Sequence, residues 1–290
     1  MSGDAGRTDL PRLPAQRLDC AGVAVEVWRS EARAGAPTLV CLHGSADSSA
    51  AFRPLAAALA TDGQAALAIV APQLPPLAPP QTASAPSSAL DYDLPWLDAL
   101  MEQTAARQLF GHSYGALLAL RWALRRPERL DRLILGEPIC WRLLEDPATP
   151  PAQIRLLEAQ CLQPFAAGEH EEAMAWLVDY WNRPGFWRDL APRVQTALLA
   201  GAGRTSLEVR SGSQDQTTKS ELSCFDVQTL VVFGEETTVE SQAVCAALAA
   251  ALPHPSLVQL PGVGHQFLRP CASTLAQLLL APTPKPSAGP

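Results

Sequence analysis

Apolar residues change their spacing along this chain, and each change marks an element. At 18–28 they alternate, with Val23, Val25 and Val27 on one face, which predicts a half-buried strand. At 38–42, 65–71, 108–110, 130–135, 229–233 and 256–260 they form short, nearly unbroken runs. Such runs predict strands covered on both sides. Helical spacing fills the intervals at 50–60, with Ser48 or Ser49 placed to cap it, and at 94–104, 114–125, 239–252 and 272–280. Strands that alternate with helices predict an α/β fold, a doubly wound and mostly parallel sheet.

The alternation breaks between 139 and 225. Strand signals nearly vanish there, amphipathic helices are predicted at 152–161 and 171–181, and four of the seven tryptophans fall in the segment. It reads as a helical lid inserted over the carboxyl ends of the strands, where ligands bind in such sheets. The core is then 18–138 together with 226–280. Residues 1–17 read as a flexible arm and 281–290 as a disordered tail. The Pro-, Ala- and Ser-rich stretch 72–86 predicts a long irregular loop, of a length usually associated with mobility or function.

Composition narrows the class. The chain has 290 residues, enough for one large core, and 48% of them are hydrophobic. A formal net charge of −7 argues against a nucleic-acid partner. No apolar stretch is long enough to predict a membrane span, and the first twelve residues lack the apolar centre of a signal peptide. The seven cysteines include no C-x-x-C pair, so free thiols in a reducing cytoplasm are expected, with no zinc site.

The sharpest chemical signal is Gly111-His112-Ser113-Tyr114-Gly115, between an apolar strand and an apolar helix. That order describes a nucleophile elbow, in which Ser113 sits on a strained strand-to-helix turn with its hydroxyl raised above the sheet. The two glycines avoid collisions with neighbouring backbone, and the N-terminus of the following helix faces charge developing beside the serine. His265, in the glycine-rich loop Gly262-Val263-Gly264-His265 after the last strand, is the candidate general base. Among the other histidines, His43 lies in a turn and the side chain of His112 is expected to point away from the nucleophile. His170 and His254 fall on polar segments.

Together, Leu42-His43-Gly44-Ser45, the Ser113 elbow and the His265 loop resemble the α/β-hydrolase superfamily over about residues 18–280. The likeness is greatest to its lidded esterase and haloalkane-dehalogenase-like group. It implies a serine nucleophile, a histidine base and a carboxylate partner. The chain departs from the common pattern at that third group. Most relatives keep an aspartate three residues after the glycine that ends the strand following the lid, and here that position is Thr237. Glu235 and Glu236 are neighbouring substitutes. The alternative is Glu137, at the end of the strand after the elbow helix, where several haloalkane dehalogenases carry their acid. Glu137 is favoured, then Glu236, then Glu235.

The acid must accept the N–H on the far side of His265. The backbone N–H groups of Ser45 and Tyr114 are expected to form an oxyanion hole, with Gly44 permitting close approach. His43, Gly44, Trp141, Trp181 and Trp187 are expected at the substrate pocket, with Phe186 a further aromatic candidate. Trp176 is read as packing. No Arg or Lys clamp is evident near the motifs, which favours uncharged small-molecule substrates. The expected activity is hydrolysis of an ester, thioester or lactone through an acyl-enzyme, needing neither metal nor cofactor. Two alternatives stay open: C–C bond or enol-lactone hydrolysis on the same triad, and a non-catalytic ligand-binding protein of this fold. The oligomeric state is not legible.

Overall fold

The structure is a computed structural model, and it describes residues 15–61, 64–76, 88–144 and 152–281. Its sheet has eight strands: β1 (Gln16–Cys20), β2 (Val23–Arg29), β3 (Thr38–Leu42), β4 (Ala68–Pro72), β5 (Gln108–His112), β6 (Arg132–Gly136), β7 (Gln228–Gly234) and β8 (Pro255–Leu260). Their order is β1-β2-β4-β3-β5-β6-β7-β8. β2 runs antiparallel to both β1 and β4, and every other pairing is parallel. The expected doubly wound sheet is therefore present.

The expected single strand at 18–28 is instead a hairpin. Ala21 and Gly22 take φ of 56° and 81°, and Asp19 accepts from the Gly22 N–H at 2.8 Å. Two successive left-handed residues reverse the chain between twisted strands. Gln16 and Arg17, assigned to the arm by sequence, already pair with Val27 and Glu26. The rest of that arm lies outside the described residues up to 14, as do positions 77–86 of the predicted loop and the tail from 282.

The helices of the core are α1 (Arg53–Leu59), α2 (Ala89–Thr104), α3 (Tyr114–Arg125), and, near the C-terminus, Val239–Ala251 and Ala272–Leu280. α2 begins five residues earlier than its apolar pattern predicts. Ser88 caps it by accepting from the Asp91 N–H, and Pro95 is tolerated inside it. The strands alternate strictly between two cores. Leu109, Leu133 and Leu135 face the core formed with α2 and α3, where Leu97, Leu117 and Trp122 are buried. Phe110 and Ile134 face the opposite core, with Phe52 and Leu275. Phe52 and Phe110 meet edge-to-face with centroids 5.4 Å apart.

Helices also fill the stretch between β6 and β7. They are α4 (Ala152–Leu157), α5 (Gln163–Ala167), α6 (His170–Trp181), α7 (Phe186–Asp189), α8 (Pro192–Ala200), α9 (Ala202–Gln214) and α10 (Lys219–Ser223). The predicted helix at 152–161 is α4 followed by a π-helical stretch, Glu158–Leu162, which leads into α5. Among the described residues no helix is long and apolar enough to cross a membrane.

Candidate active site

The sheet order reverses around β3 and β5, which lie side by side with Leu42 opposite Gly111. Loops leaving two such strands diverge and leave a crevice between them. Ser113 stands at its floor. Its φ of 55° and ψ of −119° place a non-glycine residue in a strained region, where the turn from β5 into α3 throws the side chain clear of the sheet. Two close approaches permit that turn. A Cβ on Gly115 would strike the Leu42 and His43 carbonyls, and one on Gly44 would lie 2.9 Å from the Cβ of Ser113. Tyr114 opens α3, so its N–H has no acceptor within the helix.

Parallel register carries the third group to the same edge. His112 on β5 lies opposite Gly136 on β6, so Glu137 emerges one strand over from Ser113. Glu137 Oε2 lies 2.6 Å from His265 Nδ1. The same oxygen accepts from the Thr237 hydroxyl at 2.6 Å, and Oε1 accepts from the Gly234 N–H at 2.9 Å. Burial pushes this carboxyl upward, but His265 and the two donors outweigh it and hold the group below its ordinary range. Glu137 is 1% exposed and has φ of 45°, a second strained residue at the site. Thr237, at the position where an aspartate was expected, thus orients the carboxylate that approaches the imidazole. Glu235 and Glu236 are exposed, and Glu235 instead accepts from the Gly262 N–H at 2.9 Å.

Ser113 and His265 border one cavity of about 490 Å³. Among the described residues no hydrogen bond joins them, and such bonds often tighten only when substrate arrives. His112 also borders the cavity, and its Nε2 lies 2.9 Å from the His265 carbonyl oxygen. A carbonyl only accepts, so Nε2 carries the proton. Burial, followed by nearby His265, lowers His112 to about 3, which keeps the ring neutral. Its buried Nδ1 has no partner.

Gly44, Ser45, Trp141 and Trp181 border the cavity. His43 and Trp187 do not. His43 lies behind its loop, where Nε2 accepts from the Leu74 N–H at 3.1 Å and Nδ1 faces the Gly44 carbonyl at 2.9 Å. Burial lowers it to about 4. Trp187 is buried in the core, and its backbone N–H donates to Asp179 at 2.7 Å. Phe186 takes the place at the cavity, with Leu177, Val194 and Leu198. Trp176 stacks on Tyr180, 5.1 Å away, and stays outside.

Sequence reasoning missed two charged residues here. Asp47 and Arg269 both border the cavity, although no cation was expected near it. Burial raises the Asp47 carboxyl, against the pull of Arg269. Arg269 follows His265 by four residues, so its place on the same loop was the available signal.

Solved structures with the same architecture include three hydrolases, all at low identity. The 2-hydroxy-6-oxo-6-phenylhexa-2,4-dienoate hydrolase of a Rhodococcus species is 20% identical, with a TM-score of 0.67 over 92% of this chain and 97% of that one. The enol-lactonase of Burkholderia xenovorans is 16% identical, with a TM-score of 0.62 over 91% and 98%. The carboxylesterase CesB of Bacillus subtilis is 19% identical, with a TM-score of 0.62 over 92% and 90%. No curated protein sequence matches the chain. A family model described as the alpha/beta hydrolase family matches residues 39–276, which span the whole parallel part of the sheet and the insertion. The chain belongs to the alpha/beta hydrolase family.

Proposed function

We propose that the protein is a serine hydrolase that cleaves an ester, thioester or lactone of a mostly uncharged small molecule. The observation that carries this reading is the 2.6 Å contact between Glu137 and His265 beside a cavity that also holds a strained Ser113. Ser113 Oγ attacks the substrate carbonyl while His265 Nε2 takes its proton. Glu137 holds the Nδ1–H and balances the charge of the imidazolium. The negative oxygen of the tetrahedral intermediate is received by the N–H groups of Ser45 and Tyr114. His265 then returns the proton to the leaving alcohol, thiol or lactone oxygen. A water molecule, deprotonated by the same imidazole, releases the acid and restores Ser113.

The helices between β6 and β7 act as the lid. Their apolar side chains supply most of one wall of the cavity, which suits an acyl or aryl group. The free thiols, six of them buried, fit a cytoplasmic setting.

A fluorophosphonate probe tests this reading directly. The wild type is expected to be labelled and the S113A variant not. A panel of p-nitrophenyl esters of rising acyl length, with one lactone and one thioester, then defines the preferred bond. A wild type that binds ester analogues but is neither labelled nor active would make the protein a ligand-binding member of the fold.

A further inference from the structure

A charged cluster lies behind the proposed oxyanion hole, outside the triad. Arg204 and Glu208 stand one turn apart on α9, with Arg204 Nε and Glu208 Oε1 2.7 Å apart, an ion-pair contact without linear hydrogen-bond geometry. Arg204 also donates through Nη2 to Asp93 Oδ2 at 2.6 Å and through Nη1 to the Pro75 carbonyl at 2.6 Å. Asp93, on α2, accepts from the Tyr114 hydroxyl at 2.6 Å and from the Trp96 indole at 2.7 Å. Burial raises Glu208 to about 7, against the pull of Arg204 and of the Ser45 hydroxyl within its reach, so above that pH it is the carboxylate that meets both. Asp93 is 0% exposed and Glu208 2%.

Removing three charged groups from water is expensive, and an apolar cluster of similar volume is commonly as stable or more so. The partners of this cluster suggest what it secures. Its two outer contacts are Tyr114 and Ser45, the two residues whose N–H groups would receive the oxyanion. A third contact, at Pro75, adjoins Leu74, whose N–H holds His43 at the start of the same loop. The amides come from different strands, β5 and β3, and backbone pairing alone does not fix the distance between their loops.

We propose that Arg204, Glu208 and Asp93 are positioning residues that hold the Ser45 loop and the Tyr114 elbow in register, coupling the oxyanion hole to helix α9 of the insertion. The inference rests on the serine-hydrolase reading above. The three residues touch neither Ser113 nor the base, so their effect falls on the transition state through the two amides.

The test compares E208Q, R204A, R204K and Y114F with the wild type at pH 8, where Glu208 is ionised, using p-nitrophenyl butyrate. Rates are expressed per serine titrated by fluorophosphonate, which removes misfolded protein from the count. Losing one oxyanion donor outright lowers kcat by about 10²–10³. Misalignment should take part of that, about tenfold in E208Q and R204A, with KM changed by less than about twofold. Affinity for an alkyl trifluoromethyl ketone should fall by the same factor, because that inhibitor forms the oxyanion. R204K, which keeps one ion pair, should fall between R204A and the wild type. Y114F keeps the ring and loses only the bond to Asp93, so it tests the network even if the charge variants fold poorly. About a threefold loss is expected there. Wild-type kcat per titrated serine and unchanged ketone affinity in Y114F and the soluble charge variants would overturn the inference while leaving the hydrolase reading intact. A wild type that the probe never labels would overturn both.

Discussion

The indole of Trp181 lies flat against the imidazole of His265, with ring centroids 3.9 Å apart and planes tilted by 20°. Trp141 stacks behind Trp181 at 6.4 Å. The helical insertion thus places an aromatic face on the group that, in the proposed mechanism, becomes cationic when Ser113 loses its proton. A cation over an indole face gains about 0.5–2 kcal/mol. W181A should therefore lose about 2- to 30-fold in kcat/KM toward short acetyl esters, which do not reach the rest of the lid wall. W181F should retain more activity than W181A. Steady-state kinetics on the two variants decide it, and equal activities in both would remove the stacking from the mechanism.

In the proposed triad, Glu137 and Thr237 divide between them a task usually given to one aspartate. E137Q should lower kcat by about 10³- to 10⁴-fold, the scale seen when a buried carboxylate partner of a catalytic histidine is neutralised. E235Q and E236Q should stay within about twofold of wild type, because both glutamates lie at the surface. The informative variant is T237D. In the wild-type background it sets a second carboxylate against Glu137 and should depress activity through like-charge repulsion. In the E137A background it should restore part of the lost rate. Failure of that rescue, with a folded protein, would mean that position 237 cannot reach His265.

Gly44 meets Ser113 so closely that a methyl group there would lie 2.9 Å from the serine Cβ and 3.3 Å from His112 Nδ1. G44A should cost about 1–3 kcal/mol of stability as overpacking. It should also lower kcat more than tenfold, since Ser45 and Ser113 must separate. Thermal unfolding and kinetics on one preparation measure both, and an active G44A would show that the loop after β3 yields freely.

Acid titration should expose the buried histidines. His43 and His112 have folded values of about 4 and about 3 against an ordinary 6.5. Between those values the unfolded chain binds protons that the folded chain refuses. Their contribution is complete above pH 6.5 and is lost as pH falls, by about 1.4 kcal/mol per pH unit for each histidine. Glu208 has the opposite sign. Burial raises it from 4.5 to about 7, against the pull of Arg204 and Ser45 and with Asp93 adding to the rise. The folded chain then holds a proton the unfolded one lacks, so its contribution is complete below pH 4.5 and fades as pH climbs through 7. Urea unfolding between pH 4.5 and 6.5 should give E208Q a steeper slope than wild type by about 1.4 kcal/mol per pH unit, and H112N a shallower one. Identical slopes in all three proteins would contradict these charge states.

The sequence by itself determined the sheet, the elbow and the chemistry open to it. Short unbroken apolar runs at 38–42 and 229–233 specify strands buried on both faces, because only such strands need no polar side. Gly111 specifies the turn before Ser113, since a Cβ there would strike the backbone of Gly115 and Ala116, near neighbours in the chain. Tertiary structure decided what depends on distance between remote residues. That Glu137 meets His265, while Glu235 and Glu236 stay at the surface, followed from parallel register and from the Thr237 and Gly234 donors, about a hundred positions away. Trp181 was drawn onto His265 while Trp187 was buried in the core, although both are tryptophans of the same segment. Arg204 found Asp93 across 111 positions. Local sterics and hydrophobic period are written residue by residue, whereas a buried charge has no meaning until folding has chosen what surrounds it.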